Sequence, residues 1–136
     1  MVDLNKTLNI AASGMRAQSH RMRVVAENIA NANSTASSPD SDPYRRKIVT
    51  FANVLDREMG VKMLEVDGVI YDKKPFGRKY DPGHPGADEQ GYVRMPNINA
   101  LIEMTDMREA QRSYQANLSI IGIAKDMLSR TVALLQ

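Results

Sequence analysis

The sequence lacks cysteine and tryptophan, and its aromatic residues are only five tyrosines and two phenylalanines. The absence of cysteine excludes a disulfide framework, a thiolate zinc site, an iron–sulfur cluster and a cysteine nucleophile. With so few aromatic side chains, any core has to be built from aliphatic residues and from the nine methionines. This composition suits the seams between helices better than the interior of a barrel.

A strong net charge and long hydrophobic runs are missing too. Eighteen Lys and Arg against 16 Asp and Glu leave a net charge of +2, which by itself is too weak to drive binding to nucleic acid. The first thirty residues contain no apolar run longer than 10–12, so we expect no cleaved secretory signal peptide. The apolar run at 120–124 is interrupted by Gly122 and is far too short to span a bilayer. At 136 residues, we therefore expect a soluble chain with one compact core.

Motifs for catalysis are absent. The two histidines, His20 and His84, stand far apart, and no HExxH, GxSxG, GxxxxGK[ST] or GxGxxG pattern occurs. A metal site at Asp81, His84, Asp88 and Glu89 is one interpretation, but the prolines and glycines of that segment explain it more simply as a turn. A carboxylate pair at Glu65 and Asp67 is best explained as a solvated strand face. We predict no enzymatic activity, no metal and no cofactor.

The first segment has the heptad period of a long amphipathic helix, which we predict within residues 1–33. Asp3 is placed to cap its start, and Asn31 and Asn33 are placed to end it, because Asn tolerates the left-handed conformation. The stripe repeats at steps of four and three residues through Leu4, Leu8, Ala11, Met15, Gln18, Met22, Val25 and Ile29.

The middle of the chain has a different composition. Residues 34–43 are polar and contain two prolines, which predicts a flexible linker. The β-rich region 44–98 contains predicted strands at 44–54 and 61–71 and a third at 92–95, in one small sheet. The loop between them has two Pro-Gly pairs, of which Pro82-Gly83 favours a type II turn.

The helical period returns in residues 99–136, where a second long helix is predicted. Two helices with matching registers, separated by a β-rich insert, favour an antiparallel, coiled-coil-like arm and an α+β fold class. Leu118 and Val132 widen the second stripe. Its members are Ala110, Tyr114, Asn117, Ile121, Ala124, Leu128, Thr131 and Leu135.

Several large apolar residues fall outside these stripes and would remain exposed to solvent in a monomer. They include Ile10, Ile120, Ile123 and Leu134. Neighbouring copies of the chain are the expected cover, so we predict a subunit that polymerises through its terminal helices. Asn28, Asn31 and Asn33 have two compatible interpretations, helix termination and amide contacts across this interface. The predicted subunit interface contains Leu4, Leu8, Ala11, Met15, Met22, Val25, Asn28, Ile29, Asn31, Tyr114, Asn117, Leu118, Ile121, Leu128, Val132 and Leu135.

Two other functions remain as alternatives. A basic patch would suit a small protein that binds nucleic acid or an anionic membrane surface, although an exposed helix face explains the same residues. A minor hydrolase that uses His84 is the other alternative. The basic residues concerned are Arg16, Arg21, Arg23, Arg45, Arg46 and Lys47.

Several segments resemble one family, the flagellar axial proteins of the rod and hook. Residues 13–18, 21–22 and 26–33 resemble a signature that rod and hook proteins share. Residues 113–118 resemble the terminal helix motif of the family, and Ser34 and the spacing of 37–42 depart from its usual pattern. The segments 43–51, 80–85 and 91–97 resemble more narrowly the subunits of the proximal rod.

The resemblance implies a structural role in motility. Members pair their N- and C-terminal helices inside a tubular rod, with the β-rich part outside. They leave the cell through the flagellar type III export apparatus without a cleaved signal, which places the mature rod in the periplasmic space. The implied partners are copies of the chain, other rod subunits, basal-body proteins and the export apparatus, with no nucleic acid and no small-molecule substrate.

Overall fold

The computed structural model describes residues 3–135. Two long helices at the ends of the chain and a small central β insert confirm the predicted α+β class. Residues 1, 2 and 136, at the ends of the predicted helical ranges, lie outside the described residues, and the assignment of 1–33 and 99–136 to a rod core stays a prediction. The elements are α1 (Leu4–Ala30), β1 (Lys47–Asp56), β2 (Val61–Tyr71), β3 (Gly77–Tyr80), β4 (Tyr92–Met95) and α2 (Ala100–Ala133).

Side chains cap both ends of α1. The Asp3 carboxylate accepts a hydrogen bond from the Lys6 N–H at 3.3 Å, as an N-cap residue does. At the other end, the Asn31 amide donates to the Glu27 carbonyl at 2.8 Å. The expected left-handed conformation was wrong, because no non-glycine residue in 3–135 has a positive φ. The Asn31 side chain instead gives a second hydrogen bond to the Glu27 carbonyl, which also accepts the Asn31 backbone N–H at 3.1 Å.

The strands form two separate two-stranded sheets, β1–β2 and β3–β4, where the sequence predicted a single small sheet. In the second sheet the strands are antiparallel, with Gly77 opposite Met95 and Tyr80 opposite Tyr92. Strand β3 was not predicted from the sequence because its four residues, Gly-Arg-Lys-Tyr, have no apolar alternation.

The loop before β4 contains two consecutive turns, closed by hydrogen bonds from His84 N–H to the Asp81 carbonyl and from Ala87 N–H to the His84 carbonyl. The predicted type II turn was wrong, because it requires a positive φ at Gly83, and the positive-φ glycines of the described residues are Gly60 and Gly91. Gly86 is required for space instead, since a Cβ there would lie 2.3 Å from the Ala36 carbonyl oxygen.

The polar segment 34–43 makes several hydrogen bonds, although its predicted flexibility stays a prediction. Arg94 of β4 donates to the carbonyl oxygens of Ser41 at 2.7 Å and Pro39 at 3.2 Å, and to the Asp42 carboxylate at 2.7 Å. One arginine side chain thus fixes the path of the segment mainly through backbone atoms.

The chain divides into two compact units. The first consists of Met1–Met22, Val49–Gly68 and Arg108–Gln136, and the second of Arg23–Ile48 and Val69–Met107. In the first unit the buried side chains are small, since Ala11, Ala17, Ala110 and Ala124 are each at most 2% exposed. The fully buried positions of the helices in this unit therefore hold small side chains, whereas their large apolar residues are at most half-buried.

The helices of the first unit approach each other closely at Gly14. A Cβ on Gly14 would lie 2.8 Å from the amide nitrogen of Asn117, closer than a van der Waals contact allows. Further along α1, Arg21 pairs with Glu109, which precedes Asn117 in α2, at 3.6 Å. The two helices are therefore antiparallel in this unit, as predicted.

We expect Gly14→Val to lower the free energy of unfolding by about 1–3 kcal/mol, because its side chain has to displace Asn117. Gly122→Ala, in the same pair of helices, is the matched control. No atom lies within 4 Å of a Cβ at Gly122, so this change is expected to be neutral or to stabilise α2 by up to about 1 kcal/mol. Thermal unfolding followed by circular dichroism measures both. Equal melting temperatures for Gly14→Val and the unchanged protein would contradict the close approach.

Candidate functional site

Asn28, near the end of α1, is fully buried and uses all of its hydrogen-bonding capacity inside the second unit. Its side-chain nitrogen donates to the Lys47 carbonyl at 2.8 Å and to Glu103 at 3.1 Å. Its side-chain oxygen accepts from the Lys47 N–H at 3.0 Å and from the Tyr44 hydroxyl at 3.3 Å. The carboxamide thus pairs with the backbone of Lys47 as a neighbouring β-strand would.

Arg46 carries the positive charge of this cluster. Its guanidinium binds Glu103 through Nε, Asp72 at 3.3 Å through Nη1 and Asp106 at 3.6 Å through Nη2. Burial acts to lower the pKa of Arg46, but hydrogen bonds and charge from Glu103 and then Asp72 outweigh it and raise the pKa above its ordinary value. Glu103 is 0% exposed, so its negative charge depends on this arginine for compensation.

Asp72, just after β2, joins the same cluster. The backbone N–H of Lys74, helped by the hydrogen bond and charge of Arg46, holds the pKa of the Asp72 carboxyl below its usual range, although burial acts to raise it. Asn97 accepts from the Arg46 N–H at 2.8 Å and donates to the Asp72 carbonyl at 3.1 Å. We define the polar node as the cluster of Asn28, Arg46, Asp72, Asn97 and Glu103. Its hydrogen bonds and salt bridges fix the end of α1 and the start of α2 within the second unit.

Most members of the predicted basic patch have partners inside the chain. Lys47 pairs with Glu27 at 2.9 Å, and Arg46 belongs to the polar node. The guanidinium of Arg45 lies 4.1 Å from the centre of the Phe76 ring and donates to two backbone carbonyls. These residues stabilise the fold of the second unit, so the geometry gives no support to a basic binding surface.

The residues considered as a metal site have other roles. Within residues 3–135 no group of three or more His, Asp or Glu side chains is arranged to hold a metal ion. His84 accepts a hydrogen bond from the Gly86 N–H at 2.9 Å, and its other ring nitrogen lies 3.1 Å from the Thr35 hydroxyl. Asp88 binds the backbone N–H groups of Gln90 and Tyr92. In the described part of the chain, neither helix is long and apolar enough to cross a membrane.

The predicted interface residues have three degrees of exposure, and whether they touch a neighbouring subunit stays a prediction. Ala11, Val25 and Asn28 are buried within the chain. Leu118, Leu128, Val132 and Leu135 are exposed. The others are half-buried: Leu4, Leu8, Met15, Met22, Ile29, Asn31, Tyr114, Asn117 and Ile121.

The second half of α2 exposes many large apolar side chains. Every described residue from Lys125 to Leu135 is exposed, so this stretch has no buried side within the first unit. Large apolar side chains stand in water there, with Leu128 45% and Leu135 83% exposed. Surfaces of this kind usually bind another protein. The α2 surface, as we use the term, contains Leu118, Ile120, Ile123, Met127, Leu128, Val132, Leu134 and Leu135.

Comparison with protein families identifies the class. Residues 8–36 match the profile described as "Flagella basal body rod protein". Residues 89–134 match the profile described as "Flagellar basal body rod FlgEFG protein C-terminal". The two matched regions contain most of α1 and of α2, so both terminal helices belong to the class of flagellar basal-body rod proteins.

Individual relatives define the family more narrowly. The flagellar basal-body rod protein FlgC of Agrobacterium fabrum is 51% identical, over 100% of this chain and 98% of the relative. Those of Borreliella burgdorferi and Salmonella typhimurium are 38% and 41% identical, over 98% and 93% of this chain and equal shares of the relatives. The chain therefore belongs to the FlgC family of flagellar basal-body rod proteins. It is a structural rod subunit of the basal body and assembles with other rod components.

We expect Arg46→Met to lower the free energy of unfolding by about 3–5 kcal/mol, because it leaves the buried Glu103 carboxylate without its cation. The matched control is Arg130→Met, since Arg130 pairs with Asp126 only at the surface, with both side chains about four-fifths exposed, and such a change usually costs less than about 0.5 kcal/mol. Urea denaturation measures both. The double change Arg46→Met with Glu103→Met should recover part of the loss, and an additive loss would contradict the pairing.

The stability of the second unit should depend on pH through Asp72. Its folded pKa is lowered, so its stabilising contribution is complete above the unfolded value of about 3.9 and is lost as the pH falls through the folded value. Asp72→Asn should therefore reduce stability at neutral pH and flatten the acid limb of the stability curve. Urea midpoints between neutral pH and about pH 2 test this, and parallel curves for the two proteins would contradict it.

Proposed function

We propose that the chain is a non-catalytic subunit of the proximal rod, which polymerises through its two terminal helices into the tubular drive shaft of the flagellum. The observation that carries this proposal is the α2 surface, where Leu128 is 45% and Val132 is 50% exposed. The proposed contacts are the thirteen predicted interface residues that are exposed or half-buried, with neighbouring rod subunits as the partners, since Ala11, Val25 and Asn28 are buried within the chain.

The distribution of side-chain sizes in the first unit supports this role. Its buried positions hold alanine, at Ala11, Ala17, Ala110 and Ala124, whereas leucine, isoleucine and methionine of α2 face water. A chain that stays monomeric gains more by burying its largest apolar side chains, since each full burial stabilises by about 1.5–3 kcal/mol. In this chain the large apolar side chains of α2 remain available for burial in contacts between subunits, and such contacts repeat along a polymer.

The same features are compatible with export of an unfolded chain. The chain has no cysteine, and hence no disulfide to hinder unfolding, and the first unit buries mainly small side chains, which stabilise a monomer weakly. We therefore propose export through the flagellar type III apparatus without a cleaved signal, and a periplasmic location for the assembled subunit. Neither nucleic acid nor a small-molecule substrate is part of the proposal, because the basic residues near Arg46 already bind carboxylates and carbonyls.

We expect Leu128→Asp to be exported but absent from rods, with motility lost. The change places a charge in a surface that assembly would bury, at a cost of several kcal/mol per copy if the charge cannot reach water, and the loss repeats at every subunit. Export should continue because the transported chain is unfolded.

Ser129→Asp is the matched control, since it adds the same charge to the next exposed residue of α2. It should leave motility closer to normal than Leu128→Asp does. Electron microscopy of isolated basal bodies and immunoblots of the fraction outside the cytoplasm are the measurements. Rods of normal length that contain the Leu128→Asp chain would show that this helix surface is not a subunit contact.

A further inference from the structure

Strand β1 has an unprotected edge. It is ten residues long, and from Ile48 to Leu55 it contains no charged residue, no proline and no glycine. It belongs to a two-stranded sheet, and no third strand joins that sheet within residues 3–135. Proteins normally protect an open edge by short length, charge, proline or a bulge, because unpaired backbone groups bind other strands.

The other strands carry such protection. Strands β3 and β4 have four residues each and include Arg78, Lys79 and Arg94. Asp88 also covers the end of β4, where its backbone N–H donates to the Tyr92 carbonyl at 2.9 Å and its carboxylate accepts from the Tyr92 N–H at 2.9 Å. Strand β2 carries three charged residues along its length. The lack of protection is therefore confined to β1.

Arg46, which precedes β1, and Lys47, its first residue, show which backbone groups face the open edge. The Arg46 carbonyl accepts from the Asp72 N–H at 2.9 Å, which is the side of the sheet partner. The next residue, Lys47, binds Asn28 with both of its backbone groups, so Lys47 faces the opposite side. Backbone N–H and C=O groups alternate between the two edges of an extended strand. The backbone groups of the odd-numbered residues of β1 therefore point toward the open edge, away from β2.

Thr50 lies beside β2, since its hydroxyl donates to the Gly68 carbonyl at 3.2 Å. The outward residues after Lys47 are Val49, Phe51, Asn53 and Leu55. Within residues 3–135, no side chain pairs with their backbone as Asn28 pairs with that of Lys47.

We propose that the outer edge of β1 binds the outer edge of β2 in a second copy of this chain, by β-strand addition. The inference rests on the proposed polymerisation, because it assumes a contact that repeats. A β1–β1 pair would be two-fold symmetric and would close after two copies, whereas a β1–β2 contact is heterologous and continues along a rod. A β2–β2 pair would bring Glu65 and Asp67 near their own copies, which is unfavourable.

The side chains at these edges fit burial in an assembly. Val54 and Leu55 of β1 are 41% and 55% exposed, and Val69 and Ile70 of β2 are 42% and 52% exposed. Strand addition brings such apolar groups of the two copies together, while residues Ile48 to Leu55 of β1 add no charge that repels the acidic residues of β2.

Cross-linking tests the proposal cleanly because the chain has no cysteine. Two differently tagged chains, Leu55→Cys on β1 and Glu65→Cys on β2, are co-expressed in flagellated cells, and isolated basal bodies are treated with a short bifunctional maleimide. We expect a cross-linked species that contains both tags, and little of either chain linked to itself. Self-linked Leu55→Cys as the main product, or no species with both tags, would overturn the proposal. Equal linking of a Ser38→Cys chain would also overturn it, as a non-specific contact.

A pair of proline variants tests the role of the backbone. Asn53→Pro removes an outward N–H and leaves the β1–β2 ladder intact, whereas Ala52→Pro removes an inward one. In the Leu55→Cys chain, Asn53→Pro should reduce the cross-link about tenfold, the effect of losing about 1.4 kcal/mol of hydrogen bonding, with little change in melting temperature. Ala52→Pro should lower the melting temperature itself.

The rod assay separates this inference from the proposed function. If Leu128→Asp is excluded from rods while Asn53→Pro enters them and cross-links normally, the β1 edge is not a contact and the helical interface stands. If Leu128→Asp enters rods, the helical interface fails whatever the result at β1.

Discussion

The salt bridge between Arg46 and the fully buried Glu103 is the interaction on which the second unit depends. A buried carboxylate is tolerated only where a cation and hydrogen bonds compensate its charge. Arg46 provides the cation and Asn28 the hydrogen bond, and each comes from a different part of the chain. The bridge therefore forms only when α1, β1 and α2 are all in place. Such a polar centre favours one arrangement of the helix ends over the many that apolar packing alone would allow.

Within the described residues, the first unit is held together by close packing of small residues and not by a buried salt bridge. Its helices approach closely at Gly14 and pack through alanine, which brings the two backbones together but buries little apolar surface. The larger side chains are left on the outside, where a subunit of a polymer needs them. Intrachain order and assembly thus draw on separate sets of residues, small ones for pairing within the subunit and large ones for the proposed contacts between subunits.

The sequence predicted what periodicity and composition determine. Both terminal helices, the central β insert and the strand at 92–95 followed from residue patterns, and the family followed from short motifs. The polar node did not, because Glu103 in the first turn of α2 looks like an ordinary acidic residue at a helix start. Only the fold brings Arg46 to it. Gly14 was missed for a similar reason, since a heptad pattern counts apolar residues and gives no weight to the space that a missing side chain leaves.

The way Arg94 holds the segment before β1 has a consequence for how this chain can vary. Two of the three groups that it binds are the backbone carbonyls of Pro39 and Ser41, which every amino acid possesses. The arginine therefore recognises where this stretch runs and is largely indifferent to its composition. Mutations can therefore accumulate in this stretch while its path along β4 is retained. Its surface can diverge between species without disturbing the two compact units of the chain.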